Sequence, residues 1–431
     1  MINLATFTSV VRENPGQFLG WLIIAGLVAQ VGLMALGGAR RVRYERRRGE
    51  LEQERLALEI RAAKLRIQTV EQAKSAWNGI RKFKVARKVA ECADTFSFYL
   101  RPHDGKPLPP FKPGQYLTFQ LPVPGQPRPI IRCYSLSDSP HHPDYYRVSI
   151  KRCPAPKDKP EILPGLSSNF FHDHVSEGDI VDVKAPSGHF FLDLNSDRPV
   201  VLIGGGIGVT PVMSMLNALT ESKSQREIWF FLGIRHSGEH CFREHLARVT
   251  KDNPNVKLHV CYSDPLEKDK KGTDYTHGER VSVELFKKVL PSSNYVYHIC
   301  GPPPMMQSLV KDLDAWGVPE KDVLFEAFGP ASVKKASKPA DAAPPPAECD
   351  ITFKKSGKKI TWKSTDGTLL EFGEANKVSL DSGCRAGNCG TCKVALLAGE
   401  VSTVTTPSFQ AEGGSCLTCV LVPKGALTLD A

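Results

Sequence analysis

Cys384-Arg385-Ala386-Gly387-Asn388-Cys389-Gly390-Thr391-Cys392 sets three thiols on one short loop, and two further cysteines, Cys416 and Cys419, follow downstream. C-x4-C-x2-C with a distant fourth cysteine is the spacing that holds a 2Fe–2S cluster. Iron takes soft thiolate ligands. Small residues between them let the backbone fold around the metal and turn its N–H groups toward the cluster sulfurs. Zinc knuckles pair C-x2-C units, and the x4 step does not suit one. Twelve cysteines in 431 residues do not make a disulfide scaffold. Most are scattered singly through a chain long enough to build real cores, so the C-terminal group reads as metal usage in a reducing compartment.

Outward from this loop, Ser382–Lys393 together with Gly399-Glu400-Val401 resembles the plant-type ferredoxins, which implies a β-grasp domain over 349–431. In that family the fourth ligand stands in a C-x-x-x-P pattern. Cys419 matches it through Pro423 and Cys416 does not, so the resemblance implies Cys384, Cys389, Cys392 and Cys419 as the ligand set. Upstream, 331–348 (A-S-V-K-K-A-S-K-P-A-D-A-A-P-P-P-A-E) has almost no large apolar residue and reads as a linker, semi-rigid at its proline run.

Residues 198–330 alternate apolar strands with helical stretches, the pattern of an α/β domain. The run Val200-Val201-Leu202-Ile203 reads as a buried parallel strand. Gly204-Gly205-Gly206-Ile207-Gly208-Val209-Thr210-Pro211 follows it and opens a helix. Strand, glycine turn and helix start together make a cradle for a dinucleotide pyrophosphate, with Gly205, Gly206 and Thr210 as candidate contacts. Cys300-Gly301-Pro302-Pro303 ends a later strand, and Leu324–Pro330 reads L-F-E-A-F-G-P.

Residues 81–197 carry short alternating runs cut by Pro and Gly, which suggests a small antiparallel β-barrel. Arg132-Cys133-Tyr134-Ser135, then Val148-Ser149-Ile150-Lys151-Arg152, then Pro164-Gly165-Leu166-Ser167-Ser168-Asn169 fall in order along it. Ser167, Ser168 and Asn169 suit a helix N-cap, and free N–H groups there suit a diphosphate. This ordered set resembles the flavin domain of the ferredoxin–NADP reductase superfamily, with the closest fit to the reductase portion of flavohaemoglobins. Phthalate dioxygenase reductase has the same domain order.

The resemblance implies FAD rather than FMN. It also implies that Arg132 meets the diphosphate, that Tyr134 lies on the isoalloxazine face, that Ser135 offers a hydroxyl near flavin N5, and that Ser168, Asn169, Lys151 and Tyr116 border the cofactor. In the nucleotide domain it implies that Cys300, Gly301 and Pro302 close the nicotinamide pocket, that Glu326 is a proton partner near N5, and that Phe328 is an aromatic shutter over the flavin. A Ser-Arg pair holds the 2′-phosphate of NADPH in the plant-type reductases. Here Ser263 is followed by Asp264, which repels a phosphate, so NADH is expected over NADPH although Arg235 could supply a cation.

Phe18–Leu36 holds one polar side chain, Gln30, and no charge, enough for a transmembrane helix within residues 1–40. A cleaved signal peptide would carry its cations before the apolar run. Here Arg40, Arg41, Arg43, Arg46, Arg47 and Arg48 follow it, so a single-pass anchor with its catalytic part in the cytoplasm is expected. Residues 41–80 read as a helical stalk; Leu51, Leu58 and Leu65 repeat every seven residues without a full heptad seam. The whole formal charge of +10 lies in residues 1–90, beside this apolar run. That is a juxtamembrane cluster rather than a nucleic-acid arm.

The expected architecture is therefore multidomain: anchor and stalk, flavin barrel, nucleotide domain, linker and ferredoxin domain. The expected activity is transfer of hydride from NAD(P)H to flavin and then of single electrons through the cluster to a protein acceptor. A membrane-associated oxygenase, hydroxylase or desaturase fits such a donor. A hybrid-cluster-type metalloprotein and quinone are alternative acceptors. A redox sensor or scaffold would tolerate damaged motifs, and these are intact.

Overall fold

The computed structural model describes residues 15–75, 77, 79–155, 164–328, 346–383, 385, 387, 390–404, 407 and 411–431. The chain forms two compact units, Met1–Lys74 and Ser75–Ala431.

The first unit is built on one helix, α1 (Pro15–Ser75). Anchor and stalk are thus continuous, with no break at residue 40. Gly37 and Gly38 each cost about 1 kcal/mol relative to alanine. The surrounding Leu, Ala, Arg and Glu carry the helix through them. Leu19, Trp21, Ile23, Ile24, Leu27 and Val28 are all exposed. This is the one helix among the described residues that is long and apolar enough to cross a membrane. Beyond the apolar run its surface is polar, with i,i+4 pairs Arg41–Glu45, Arg48–Glu52 and Arg55–Glu59 at 3.0–3.2 Å. Each exposed pair adds only about 0.3–0.5 kcal/mol. Leu51 is exposed. The side chains of Leu58 and Leu65 lie outside the described residues.

The second unit begins with β1 (Arg81–Cys92), β2 (Thr95–Pro102), β3 (Tyr116–Leu121), β4 (Ile130–Ser135), β5 (Tyr146–Lys151), α2 (Leu166–His174) and β6 (Ile180–Ser187). The six strands form one antiparallel sheet in the order β4-β3-β6-β1-β2-β5. Its two edges meet at a single bridge, Leu136–Val148. The expected closed barrel is therefore not formed by a continuous ladder among the described residues. Bulges in β1 at Val85/Arg87 and Ala90/Cys92 bend that strand around the core. Phe83, Phe98, Phe119, Phe171 and Val183 fill the interior at 0% exposure.

Next come β7 (Val200–Gly205), α3 (Val209–Glu221), β8 (Ile228–Ile234), α4 (Arg243–Asp252), β9 (Val256–Tyr262), α5 (Val283–Val289), β10 (Val296–Cys300), α6 (Pro303–Ala315) and β11 (Val323–Glu326). All five strands are parallel, ordered β11-β10-β7-β8-β9. Two apolar cores flank the sheet, one under α3 and α4 and the other under α5 and α6. Burial on both faces explains why these strands read as unbroken apolar runs. The strand order reverses between β7 and β10, and in such sheets ligands bind at the carboxyl ends beside that switch.

The last part comprises β12 (Glu348–Phe353), β13 (Lys358–Lys363), α7 (Leu369–Ala375), β14 (Lys393–Ala398), β15 (Val401–Thr403), β16 (Ser415–Leu417), β17 (Leu421–Pro423) and β18 (Leu427–Leu429). Its mixed sheet runs β13-β12-β18-β14-β16, and β15 pairs with β17. Helix α7 starts with a full capping box, Thr368 and Glu371 satisfying each other's backbone N–H. Trp362, Phe353, Leu369 and Leu429 make its core. The linker, Cys384 and Cys389 lie wholly or largely outside the described residues.

Candidate functional site

Strand β4 delivers Arg132, Tyr134 and Ser135 in succession. The Tyr134 ring stands edge-on to Phe119 and Phe171, with centroids 5.8 and 5.4 Å away, and its hydroxyl meets Ser167 Oγ at 2.8 Å. Burial pushes its phenol up to about 12, so it stays neutral. Ser135 is paired across the ladder with Tyr116, and its Oγ is buried with no hydrogen-bond partner among the described residues. Tyr116 is itself buried, with its ring against Gly188.

Helix α2 starts at Leu166 with Gly165 as its N-cap, and no side chain caps it. The serines and asparagine expected to cap it sit one turn inside. Ser167 is diverted to Tyr134. Ser168 Oγ donates to the Gly165 carbonyl at 3.1 Å, and Asn169 Nδ2 donates to the Cys153 carbonyl at 3.0 Å. Lys151 is engaged elsewhere: its ammonium lies 3.2 Å from Asp94 and 3.4 Å from Glu239. Two carboxylates already neutralise it, so it offers no free cation to a phosphate.

The nucleotide cradle follows β7. Gly206 faces open space. Gly208 cannot be anything larger, because a Cβ there would collide with the backbone carbonyl of Cys300. Gly205 likewise packs against Pro302 and Met305, and Gly301 lies over Gly205, so the two loops lean together at the switch point. Thr210, in the first turn of α3, is buried and donates to the Ile207 carbonyl at 2.9 Å. The Gly206–Gly208 turn also lies against β5 of the flavin sheet.

Cys300 and Glu326 are register neighbours on β10 and β11. Burial pushes the Cys300 thiol well up. Burial also raises the Glu326 carboxyl to about 8, and Glu326 Oε2 has no partner among the described residues. Phe328, two residues on, is 40% exposed.

In the C-terminal part, Cys392 and Cys419 are buried with their sulfurs 3.1 Å apart. Cys416 is buried on β16, where burial raises its thiol to about 11. The loop backbone turns through the left-handed region at Arg385 (φ +55°) and Gly387 (φ +72°). Nothing bulkier fits at Gly387, since Pro407 and Val420 close over it. Arg385 grips the Glu374 carboxylate with both terminal nitrogens. It also lies close enough to Arg132 to depress that guanidinium, after burial as the main cause.

One group of residues was not foreseen from the sequence. Asp138 and Arg147 form a buried pair at 3.3 Å. Arg147 also donates to the Ser137 carbonyl at 2.5 Å. Asn217 Nδ2 on α3 donates to Asp138 Oδ1 at 2.8 Å, and Ser214 Oγ donates to the Asp138 carbonyl at 2.7 Å. This knot joins the flavin sheet to the nucleotide domain. The partners it joins across the two domains stand 76 and 79 positions apart, so no local spacing marks them.

The residues present fit the expected groups. A half-buried cation beside a second cation suits an anion such as a diphosphate. Two buried polar atoms left without partners, Ser135 Oγ and Glu326 Oε2, suit a ligand with polar ring atoms. Adjacent buried thiols suit iron.

Comparison with known proteins points the same way. Residues 82–192 match the model of the oxidoreductase FAD-binding domain, 202–311 that of the oxidoreductase NAD-binding domain, and 352–424 that of the 2Fe-2S iron-sulfur cluster binding domain. A flavohemoprotein of Halalkalibacterium halodurans is 37% identical over 278 residues, covering 64% of this chain and 67% of that one. The flavohem-like FAD/NAD-binding domain of nitric oxide dioxygenase from Vibrio cholerae aligns with a TM-score of 0.52 at 33% identity, over 58% of this chain and all of that one. Phthalate dioxygenase reductase, described as a modular structure for electron transfer from pyridine nucleotides to [2Fe-2S], aligns with a TM-score of 0.52 at 26% identity over 82% of this chain and 98% of that one. The three matched domains stand in this order, and with these relatives they show that the chain belongs to the ferredoxin–NADP reductase superfamily, as an NAD(P)H-dependent flavin and iron–sulfur oxidoreductase whose flavohaemoglobin-type module precedes a 2Fe–2S domain.

Proposed function

We propose that this protein is a membrane-anchored, NADH-dependent reductase that supplies single electrons to a protein acceptor. The observation that carries the reading is the serial placement of the three sites. The glycine turn of the nucleotide domain lies against the flavin sheet, and Arg385 on the cluster loop lies by Arg132 of the flavin site. Held by these residues, FAD would supply the exchange between a two-electron hydride and single electrons that a nicotinamide lacks, and a 2Fe–2S cluster on the C-terminal cysteines would supply one-electron transfer to the acceptor.

The chain's own residues position and protect this transfer. Arg132 holds the diphosphate, Tyr134 fixes the ring plane through Phe119, Phe171 and Ser167, and Tyr116, Ser168 and Asn169 line the pocket. Ser135 and the neutral Glu326 present hydroxyl and carboxyl protons at buried positions. Gly205, Gly206 and Thr210 cradle the dinucleotide, while Cys300, Gly301 and Pro302 wall the nicotinamide end. The half-exposed Phe328 covers the flavin until nicotinamide displaces it. Cys384, Cys389, Cys392 and Cys419 hold the iron.

Charge supports NADH. Arg235, the candidate cation for a 2′-phosphate, is tied to Glu239 at 2.5 Å, and Asp264 follows Ser263. The apolar exposed stretch of α1 with arginines after it supports an anchor that leaves the catalytic part in the cytoplasm. The dioxygenase association in the name of the 26%-identical reductase supports an oxygenase, hydroxylase or desaturase as acceptor.

Anaerobic NADH added to the detergent-solubilised protein should bleach the flavin and produce the electron paramagnetic signal of a reduced 2Fe–2S cluster. Cys419→Ser should remove that signal and keep the bleaching. Bleaching without a cluster signal in the parent protein would refute the series. Release of the protein from membranes by alkaline carbonate would refute the anchor.

A further inference from the structure

The loop between β4 and β5 meets the nucleotide domain at the last turn of α3. His142 Nε2 lies 3.1 Å from Glu221 Oε1, and His141 Nδ1 lies 3.7 Å from Glu221 Oε2. Glu221 is the final residue of α3. On a further side, Asp138 Oδ1 lies 3.8 Å from His142 Nε2. Among the described residues, Asp138, His142 and Glu221 are the one group of three whose ligand atoms all lie within 4.8 Å of one another.

A plain contact between domains does not call for this arrangement. One imidazole is enough for a hydrogen bond to Glu221, yet two consecutive histidines bring ring nitrogens to the two oxygens of that carboxylate. The histidines are also held in place. The His142 ring stacks on Tyr145 with centroids 5.1 Å apart, and the His141 backbone N–H donates to Ser139 Oγ at 3.1 Å. The Tyr145 hydroxyl donates in turn to Asp138 Oδ2 at 3.1 Å. Outer contacts of this kind fix the orientation of metal ligands. Asp138 Oδ1 already accepts from Asn217 Nδ2 and from the Ser139 N–H, so it is a fixed polar wall rather than a free ligand. Zinc holds nitrogen and carboxylate oxygen about 2.0–2.1 Å away in a tetrahedron, which sets ligand atoms roughly 3.4 Å apart. The contacts at 3.1 and 3.7 Å bracket that spacing. A helix C-terminus, where Glu221 stands, favours a cation. The side chains of His141, His142 and Glu221 are 44%, 36% and 35% exposed, so an ion can reach them from solvent.

We propose that His141, His142 and Glu221 bind a zinc ion that ties the flavin domain to the nucleotide domain. Two imidazoles and a carboxylate are a donor set that suits zinc, whereas magnesium and calcium take oxygen ligands. Water fills the fourth position. The flavin domain supplies two ligands and the nucleotide domain one, so the ion replaces a hydrogen bond across the seam by coordination from both sides. None of the three residues belongs to those assigned to flavin, dinucleotide or iron. Zinc therefore acts on the cohesion of the two domains and takes no part in electron transfer.

The test uses the full-length, untagged, flavin- and cluster-loaded protein in detergent, freed of loosely held metal on a chelating resin. Equilibrium dialysis against zinc chloride should load one zinc per chain, which excess magnesium or calcium does not displace. His142→Ala and Glu221→Gln should each weaken binding by at least about tenfold, the loss that even the outer partners of a metal ligand cause. Retained flavin absorbance and NADH–ferricyanide activity show that the variants have folded. Zinc should raise the melting temperature of the parent and of neither variant. Zinc-edge X-ray absorption on the parent, which needs no variant, should show a shell of nitrogen and oxygen alone. The proposal is overturned if the parent takes up no zinc, if the folded variants bind it as tightly as the parent, or if sulfur appears in the zinc shell.

Discussion

Glu326 is a carboxyl only 5% exposed, with one oxygen buried and without a partner among the described residues. Desolvation favours its neutral form, which raises its pKa to about 8 against an ordinary value of 4.5. The folded protein therefore binds a proton that the unfolded chain has released, and stability falls as pH rises from about 4.5 through 8. Glu326→Gln has no proton to lose. It should melt higher than the parent at pH 9, by an amount worth roughly 2–4 kcal/mol, with the gap closing toward pH 5. Thermal denaturation across that range reads it, and a gap independent of pH would show that Glu326 is not buried neutral. Arg147 presents the opposite case, a buried charge whose partner is also charged. Arg147→Met leaves Asp138 ionised and enclosed, and should cost about 3–5 kcal/mol in denaturant unfolding. A loss under about 1 kcal/mol would mean that water already reaches the pair. The 2Fe–2S domain was legible because three of its cysteines stand close together in sequence. The Asp138–Arg147–Asn217 knot was not, because neither burial nor a partner in another domain leaves a mark on local spacing.

Elements were legible where one period dominates and blurred where neighbours decide. The five parallel strands read directly as apolar runs, since both faces are covered. The start of α2 was misplaced by a turn because serine and asparagine are as useful inside the first turn as at the cap. Here Ser167 goes to Tyr134 and Gly165 takes the end. The flavin sheet was read as a barrel from short alternating runs, whereas closure depends on edge pairing, and among the described residues only Leu136–Val148 supplies it. The glycine turn makes its own demand. Gly208→Ala would force a Cβ into the Cys300 carbonyl, and the two loops proposed to clasp the dinucleotide would have to part. Overpacking of this kind costs about 1–3 kcal/mol. The variant should raise the NADH KM by about tenfold or more, as 1.4 kcal/mol per decade implies. Its flavin content should stay near that of the parent, and an unchanged KM would show that the cradle lies elsewhere.

At the level of the whole chain, the order of the flavin, nucleotide and cluster domains was legible because each carries its own motif, while the expected linker lies largely outside the described residues. How α1 continues unbroken through Gly37 and Gly38 was not, since those glycines mark a stop only when helix formers do not surround them. If the linker lets the cluster domain visit an acceptor, deleting Ala342–Pro346 should slow acceptor reduction several-fold while leaving flavin bleaching by NADH unaltered. Stopped-flow absorbance separates the two steps, and equal acceptor rates would argue that the cluster is presented without travel. The sheet order of the cluster domain carries one more consequence. Strand β18 is formed last and lies in the middle, between β12 and β14. A nascent chain still short of Leu427 already displays every thiol of the expected ligand set, yet the gap between those two strands is unfilled. Loading of iron into a stable pocket must therefore wait until Leu427–Leu429 has joined the sheet, which opens a window during which the bare thiols need protection.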